Sequence, residues 1–276
     1  MEVLKYEEIK EARKKLDNIG VATESLNRLP IFQPTMKPRE EIRVFENKYG
    51  KLLVKGRLGQ IHKNLLETIL WKKELHDYFR DGDTRYLKVL YDKQKVRRYL
   101  SQSQISKYSQ ERYETLLEDM MRTIITLETK KVKIQGPLII EINDSPVLRP
   151  VNSKSPIIPN QVPLTTIKFG AIATALLEKE LKFTYDPKPV MKLSSGISQA
   201  LVRYLLTHRR HPQAGYHLRE LIANLIENTE GQKWKDIKKA LRKDAKQLEA
   251  LGILINFEEE RLFVIKDLLN SKSFAC

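Results

Sequence analysis

Cysteine is nearly missing from this sequence: among 276 residues the only one is Cys276. A single chain therefore cannot form a disulfide or a thiolate-based zinc site, a composition that fits a reducing compartment. Long apolar runs are also missing. The best candidate, Ala171–Leu177, falls far short of the roughly 18 residues a membrane span needs. The opening Met1–Glu8 carries acids where a secretion signal needs a basic start and an apolar stretch. We therefore expect a cytoplasmic protein with no membrane partner. No G-x-x-x-x-G-K-[S/T] loop is present to cradle a nucleotide, so no cofactor is expected.

What the sequence has in excess is positive charge. Lys and Arg number 50 against 35 Asp and Glu, a formal charge of +15, within a chain that is 41% hydrophobic. That apolar fraction is enough for a folded core, and the charge imbalance points to a polyanionic partner, nucleic acid first.

Proline and apolar spacing divide the chain. Residues 1–28 read as an isolated helix or tail. Leu29-Pro30-Ile31-Phe32-Gln33-Pro34 then breaks any helix, and compact structure is expected to start there. Lys51–Val54 reads as a strand and Arg57–Phe79 as one long core helix stopped by Asp81-Gly82-Asp83. Thr84–Tyr91 reads as a strand or extended link. Lys93–Leu100 then gives a short helix, Ser101–Ser103 a turn and Ser109–Glu128 a longer helix, the order of a helix-turn-helix. Strands follow at Lys131–Ile134 and Leu138–Ile142. The stretch 145–163 holds five of the twelve prolines and predicts the irregular tip of a long hairpin that returns through Thr165–Ala171.

Asp186-Pro187 is a second break. After it, helices are expected near Ile197–His208, His217–Ile226 and Lys233–Leu251, the last stopped by Gly252 and followed by a hairpin around Glu258–Arg261. Three helices and a β-wing define the winged-helix order. The expected fold is therefore α+β and mainly helical, with two tandem winged-helix (helix-turn-helix plus β-wing) domains at 29–187 and 188–276.

The sharpest charge signal is Lys233–Lys246. Lys233, Lys235, Lys238, Lys239, Arg242, Lys243 and Lys246 stand against only Asp236 and Asp244. Lys235, Lys239, Arg242 and Lys246 recur at helical spacing, with Trp234, Ile237, Leu241 and Leu248 on the opposing stripe. One face packs and the other presents a basic ridge suited to a major groove, where Lys and Arg reach phosphates and guanine edges. The competing reading is a solvated lysine-rich face. A second basic window, Arg85–Lys107, includes Lys93, Lys95, Arg97 and Arg98, expected to contact phosphates and position the protein. The helix after it is acidic, with Glu111, Glu114, Glu118 and Asp119, which argues against that helix as a phosphate contact. His208-Arg209-Arg210-His211 lacks the spacing of a nuclease histidine pair and reads as a helix end. No catalytic or metal-ligating set emerges.

Two segments, Gly56–Leu70 and Gln199–His208, resemble the first helices of the winged-helix domains in plasmid replication initiators of the TrfA and RepA kind. The likeness in element order runs from about Leu29 to Ile265. The resemblance implies a non-enzymatic protein that binds repeated origin sites (iterons) on double-stranded DNA, helps open the duplex and recruits host replication proteins. Those partners would be a host initiator and the replicative helicase, with homodimer formation a further implication. A winged-helix transcriptional repressor and a nuclease or relaxase are the competing expectations.

Overall fold

The computed structural model describes residues 20–47, 50–103, 108–130, 132–150, 161–178, 182–208, 210–226, 230–265, 268 and 272–274. Most of the expected N-terminal tail lies outside this set. Its last residues, however, already belong to the compact fold: β1 (Ala22–Thr23) and α1 (Glu24–Arg28) bury Val21, Ala22 and Leu26. Thr23 caps α1, its hydroxyl accepting from Leu26 N–H.

Next come β2 (Glu41–Asn47), β3 (Gly50–Gly56), α2 (Gln60–Lys72), β4 (Lys73–Asp81) and β5 (Thr84–Tyr91). The long helix expected over Arg57–Phe79 is corrected here, because α2 ends at Lys72 and the remainder is strand. From Lys73 the chain alternates sides, burying Glu74 and His76, and it pairs antiparallel with β5 from Lys73↔Tyr91 to Asp81↔Thr84. Asp81-Gly82 is thus a hairpin turn rather than a helix stop. Gly82 takes φ +58, which a residue with a side chain rarely adopts.

The chain continues through α3 (Lys93–Ser103), α4 (Gln110–Arg122), β6 (Ile124–Glu128), β7 (Lys133–Pro137), β8 (Ile139–Pro150), β9 (Gln161–Phe169) and α5 (Ala171–Glu178). A second correction falls in this stretch. Helix α4 stops at Arg122, and Ile124–Glu128 forms a strand, in keeping with the β-branched run Thr123-Ile124-Ile125-Thr126. The proline-rich hairpin is present as β8 and β9, but its strands reach further into 145–163 than expected, pairing out to Leu148↔Pro163 and Pro150↔Gln161. Pro163 is tolerated because β5 pairs with β9 only over Thr165–Lys168, and the β8 register shifts between Asp144 and Leu148. Residues 151–160, the expected tip, lie outside the described set.

After β10 (Lys182–Thr184) come α6 (Lys188–Met191), α7 (Gly196–Leu205), β11 (Tyr216–His217), α8 (Leu218–Ala223), α9 (Gly231–Lys243), α10 (Ala245–Ala250), β12 (Ile253–Asn256), β13 (Arg261–Val264) and β14 (Lys272–Phe274). The single helix expected over Lys233–Leu251 is broken at Asp244. Among the described residues four sheets result, in the orders β2-β3-β6-β7, β4-β5-β9-β8, β1-β10-β14 and β11-β13-β12. Strands claim nearly as much of the described chain as helices do, so the architecture is mixed α and β rather than mainly helical.

Two large apolar cores form. One gathers α2, α3, α4, α5 and the first sheets; the other gathers α7 to α10 and the β12–β13 hairpin, and Trp71 packs against both. Between them sits Arg203, fully buried, donating to Glu67 at 2.8 and 2.6 Å, to Gln60 at 2.9 Å and to Asn64 at 2.6 Å. Tyr185 adds a hydroxyl to the Glu67 carboxylate at 2.8 Å. A buried ion pair is stable only with its remaining hydrogen bonds filled, and here a guanidinium from α7 is filled almost entirely by the polar face of α2.

Candidate nucleic-acid interface

Helix α9 is amphipathic in the way its sequence predicts. Trp234, Ile237 and Leu241 are buried in the second core, while Lys233, Lys235, Lys239, Arg242 and Lys243 are exposed. Among the described residues none of those five cations makes an ion pair. Arg242 instead stacks its guanidinium over Phe257, 4.9 Å from the ring centre, and this holds the side chain against the turn of the β12–β13 hairpin.

Lys238 behaves differently from its neighbours. Glu260, at the tip of the β12–β13 hairpin, accepts from Trp234 Nε1 at 2.8 Å and from Lys238 Nζ at 3.0 Å, and lies 3.6 Å from Arg219. Glu260 sits at φ +50, and its carbonyl accepts from Leu218 N–H. The Trp234 hydrogen bond, with Lys238 and Arg219 beside it, holds the Glu260 carboxyl below the ordinary glutamate range. The acidic hairpin tip is therefore a clamp on the basic helix: it fixes the packed side of α9 and consumes one of its lysines.

Asp244 accounts for the helix break. Its side chain is buried and accepts from Ser194 N–H (2.9 Å), Ser194 Oγ (2.8 Å) and Ser195 N–H (2.9 Å). Burial alone would raise its pKa, but these donors outweigh that and hold the carboxyl below the ordinary aspartate range. The basic ridge consequently ends at Lys243. Lys246 is exposed but belongs to α10, outside the continuous spacing read from the sequence.

The first basic window is arranged otherwise. On α3, Lys93 pairs with Glu114 at 3.2 Å, Lys95 pairs with Glu74 at 2.8 Å, and Arg97 donates to Gln110 at 2.7 Å and to the Tyr108 carbonyl at 3.4 Å. Among the described residues, Arg98 is the one of the four that is exposed without such a partner. Of the acids on α4, Glu114 receives Lys93, whereas Asp119 receives Arg57 at 2.8 Å and the Nε2–H of His62 at 3.0 Å. The His62 tautomer follows from its other nitrogen, Nδ1, which accepts from Gly59 N–H.

Sequence reasoning missed Glu260 and Asp244 as organisers of α9. Their only signal was an acid inside or facing a basic run, which reads equally well as an obstacle to DNA. At the end of α7, His208 Nδ1 sits 3.2 Å from the Tyr204 carbonyl, and burial lowers its pKa. Among the described residues no group of three or more His, Cys, Asp or Glu is placed to hold a metal, and no helix is long and apolar enough to cross a membrane.

Two α/β lobes joined through a buried polar seam, the second presenting a basic helix beside a hairpin, define the class of fold. The same fold occurs in a crystal structure of domains 2 and 3 of RctB, a selenomethionine derivative, with a TM-score of 0.52 over 85% of this chain and 89% of that one at 12% identity. A second structure of RctB domains 2–3 aligns with a TM-score of 0.45 at 12% identity, over 83% of each chain. No protein-family model matches the sequence, and no curated protein matches it either.

Proposed function

We propose that this protein binds double-stranded DNA sequence-specifically and initiates plasmid replication from repeated origin sites, recruiting host replication proteins without chemistry of its own. In this reading the two lobes act as winged-helix domains. The second is built from α7, α8 and α9 with β12–β13 as its wing, and the first from α2, α3 and α4 with β6–β7. The observation that carries the proposal is the outward face of α9, where Lys233, Lys235, Lys239, Arg242 and Lys243 stand exposed over a buried Trp234–Ile237–Leu241 stripe. A helix so anchored can enter a major groove, its cations reaching guanine edges and flanking phosphates.

Two further supports point the same way. Gly56–Leu70 and Gln199–His208 resemble segments of plasmid initiators, and the fold is shared with domains of RctB, a replication initiator. Lys238 belongs to the helix but is held by Glu260, so its role is to fix the wing rather than to touch DNA. Arg98 is the one cation of α3 left for a phosphate. The protein would act in the cytoplasm, with a host initiator and the replicative helicase as partners and a homodimer as an alternative assembly.

Footprinting on DNA surrounding the protein's own gene tests the reading. Protection of several direct repeats spaced by about one helical turn is expected. A single palindromic operator would make the protein a repressor, and nicking of supercoiled DNA by pure protein would make it a nuclease.

A further inference from the structure

The hairpin β4–β5 carries an aromatic pair that no core uses. Phe79 and Tyr86 face each other across the hairpin register, their ring centres 5.4 Å apart and their planes 19° from parallel. Both rings are partly exposed, and among the described residues neither packs into any of the hydrophobic clusters. Strand alternation puts Lys88 on the same face, directly opposite Lys168 of β9. Lys168 Nζ lies 4.6 Å from the Phe79 ring centre and 4.7 Å from that of Tyr86, and Lys88 Nζ lies 6.0 Å from Phe79.

On the reverse face of this sheet Leu87, Val89 and Ile167 are buried. Asp77 and Glu141 flank the lysine row in register, yet among the described residues neither lysine makes an ion pair with them or with any other acid. The hairpin end therefore offers two stacked π-faces beside two cations on one face of the sheet.

We propose that this face binds single-stranded DNA, an unpaired base stacking on the Phe79–Tyr86 pair while Lys88 and Lys168 take the adjoining phosphates. Aromatic rings beside a basic track are the physical recipe for strand binding, because every base has a π-face and every linkage a charge. Duplex bases are stacked on each other and cannot reach the rings, so the site selects for unpaired strand. The proposal deepens the DNA-binding reading above, supplying a site for strand exposed when a duplex opens, but it stands on different residues from those on α9.

The test uses the full chain and two probes in parallel, a fluorescent oligothymidylate and a fluorescent duplex, read by anisotropy. Phe79→Ala and Tyr86→Ala should each weaken oligothymidylate binding roughly 5- to 100-fold and leave duplex binding within about 2-fold, while Tyr86→Phe, which keeps the ring, should bind as wild type. Lys168→Gln should lower the salt dependence of oligothymidylate binding. Photo-cross-linking of iodouracil-substituted single strand to the unmodified protein should label the peptides containing Phe79 or Tyr86, a readout independent of variant folding. The proposal is overturned if wild-type protein binds duplex but not oligothymidylate, if cross-links fall only elsewhere, or if the alanine variants melt normally and bind single strand undiminished. Loss of duplex binding alone would instead count against the reading of α9.

Discussion

Helices α3 and α9 carry similar densities of positive charge, yet the molecule uses them in opposite ways. On α3, Lys93, Lys95 and Arg97 turn back onto Glu114, Glu74 and Gln110. On α9, five cations stay in solvent and one acid, Glu260, gathers only Lys238 and the nearby Arg219. Arg203 and Lys63 extend the inward pattern to its limit, as both are buried at the seam between the two cores. The contrast teaches that charge density alone does not say which cations stay in solvent. What matters is whether acceptors on the packed neighbours, carboxylate, amide or carbonyl, are placed to receive the cations.

Breaking the inward set should cost stability, and Arg203 should cost most. Truncation by Arg203→Ala leaves Glu67 buried without its counter-charge, so a loss of about 3 to 5 kcal/mol is expected in denaturant unfolding. A loss below about 1 kcal/mol would mean water replaces the guanidinium at the seam.

Breaking the outward set should cost binding instead. Single alanine substitutions at Lys235, Lys239 or Arg242 should each lose roughly 1 to 3 kcal/mol on a specific duplex wherever a base edge is read, with melting temperature unchanged. Variants that discriminate specific from random duplex as well as wild type would remove α9 as the reader.

Lys63 sharpens the comparison through pH. Its ammonium donates to the Leu26 carbonyl at 2.7 Å, and burial lowers its pKa to about 7. Above pH 7 the folded protein holds Lys63 neutral while the unfolded chain, with a pKa near 10.4, stays protonated and so binds more protons. Stability should therefore rise with pH between about 7 and 10, this group contributing up to roughly 1.4 kcal/mol per pH unit. Lys73, lowered by burial to about 8, adds to the same trend. The difference in slope between wild type and Lys63→Met isolates the Lys63 share, and identical slopes would contradict its burial as a neutral amine.

The smallest effect belongs to Lys95, whose side chain is nearly half exposed. Lys95→Ala should change stability by no more than about 1 kcal/mol and leave duplex affinity alone. A clear loss of affinity would show that α3 releases its cations to DNA.

Much of the fold was legible where one rule decided the local structure. The amphipathic stripe of α9, the strand at Lys51–Val54, the returning proline-rich hairpin and the stop at Gly252 all follow from periodicity or turn chemistry. The failures share a cause. At Lys73–Asp81 and Ile124–Glu128 a helix passes into a strand with no glycine or proline between them, and helical spacing of apolar residues carries on across the junction by coincidence. Pairing with β5 and β3, a long-range event, decides those segments. The break at Asp244 was hidden for the same reason, because its cause lies fifty residues away at Ser194 and Ser195. Of the candidate site, the identity of the exposed cations on α9 could be read from spacing, whereas the capture of Lys93, Lys95 and Arg97 could not. Their partners sit on β4, on α4 and in the turn before α4, and no local pattern brings those elements together.

The most direct test is the salt dependence of duplex binding measured for three proteins: wild type, a Lys235→Ala/Lys239→Ala/Arg242→Ala variant and a Lys93→Ala/Lys95→Ala/Arg97→Ala variant. Each phosphate contact contributes about −0.9 to the slope of log affinity against log salt. The α9 variant should lose about one unit of slope for each of its cations that touches a phosphate, whereas the α3 variant should keep the wild-type slope. An unchanged slope for the α9 variant, with the loss falling on the α3 variant, would contradict the assignment of the outward cations as the DNA-binding surface.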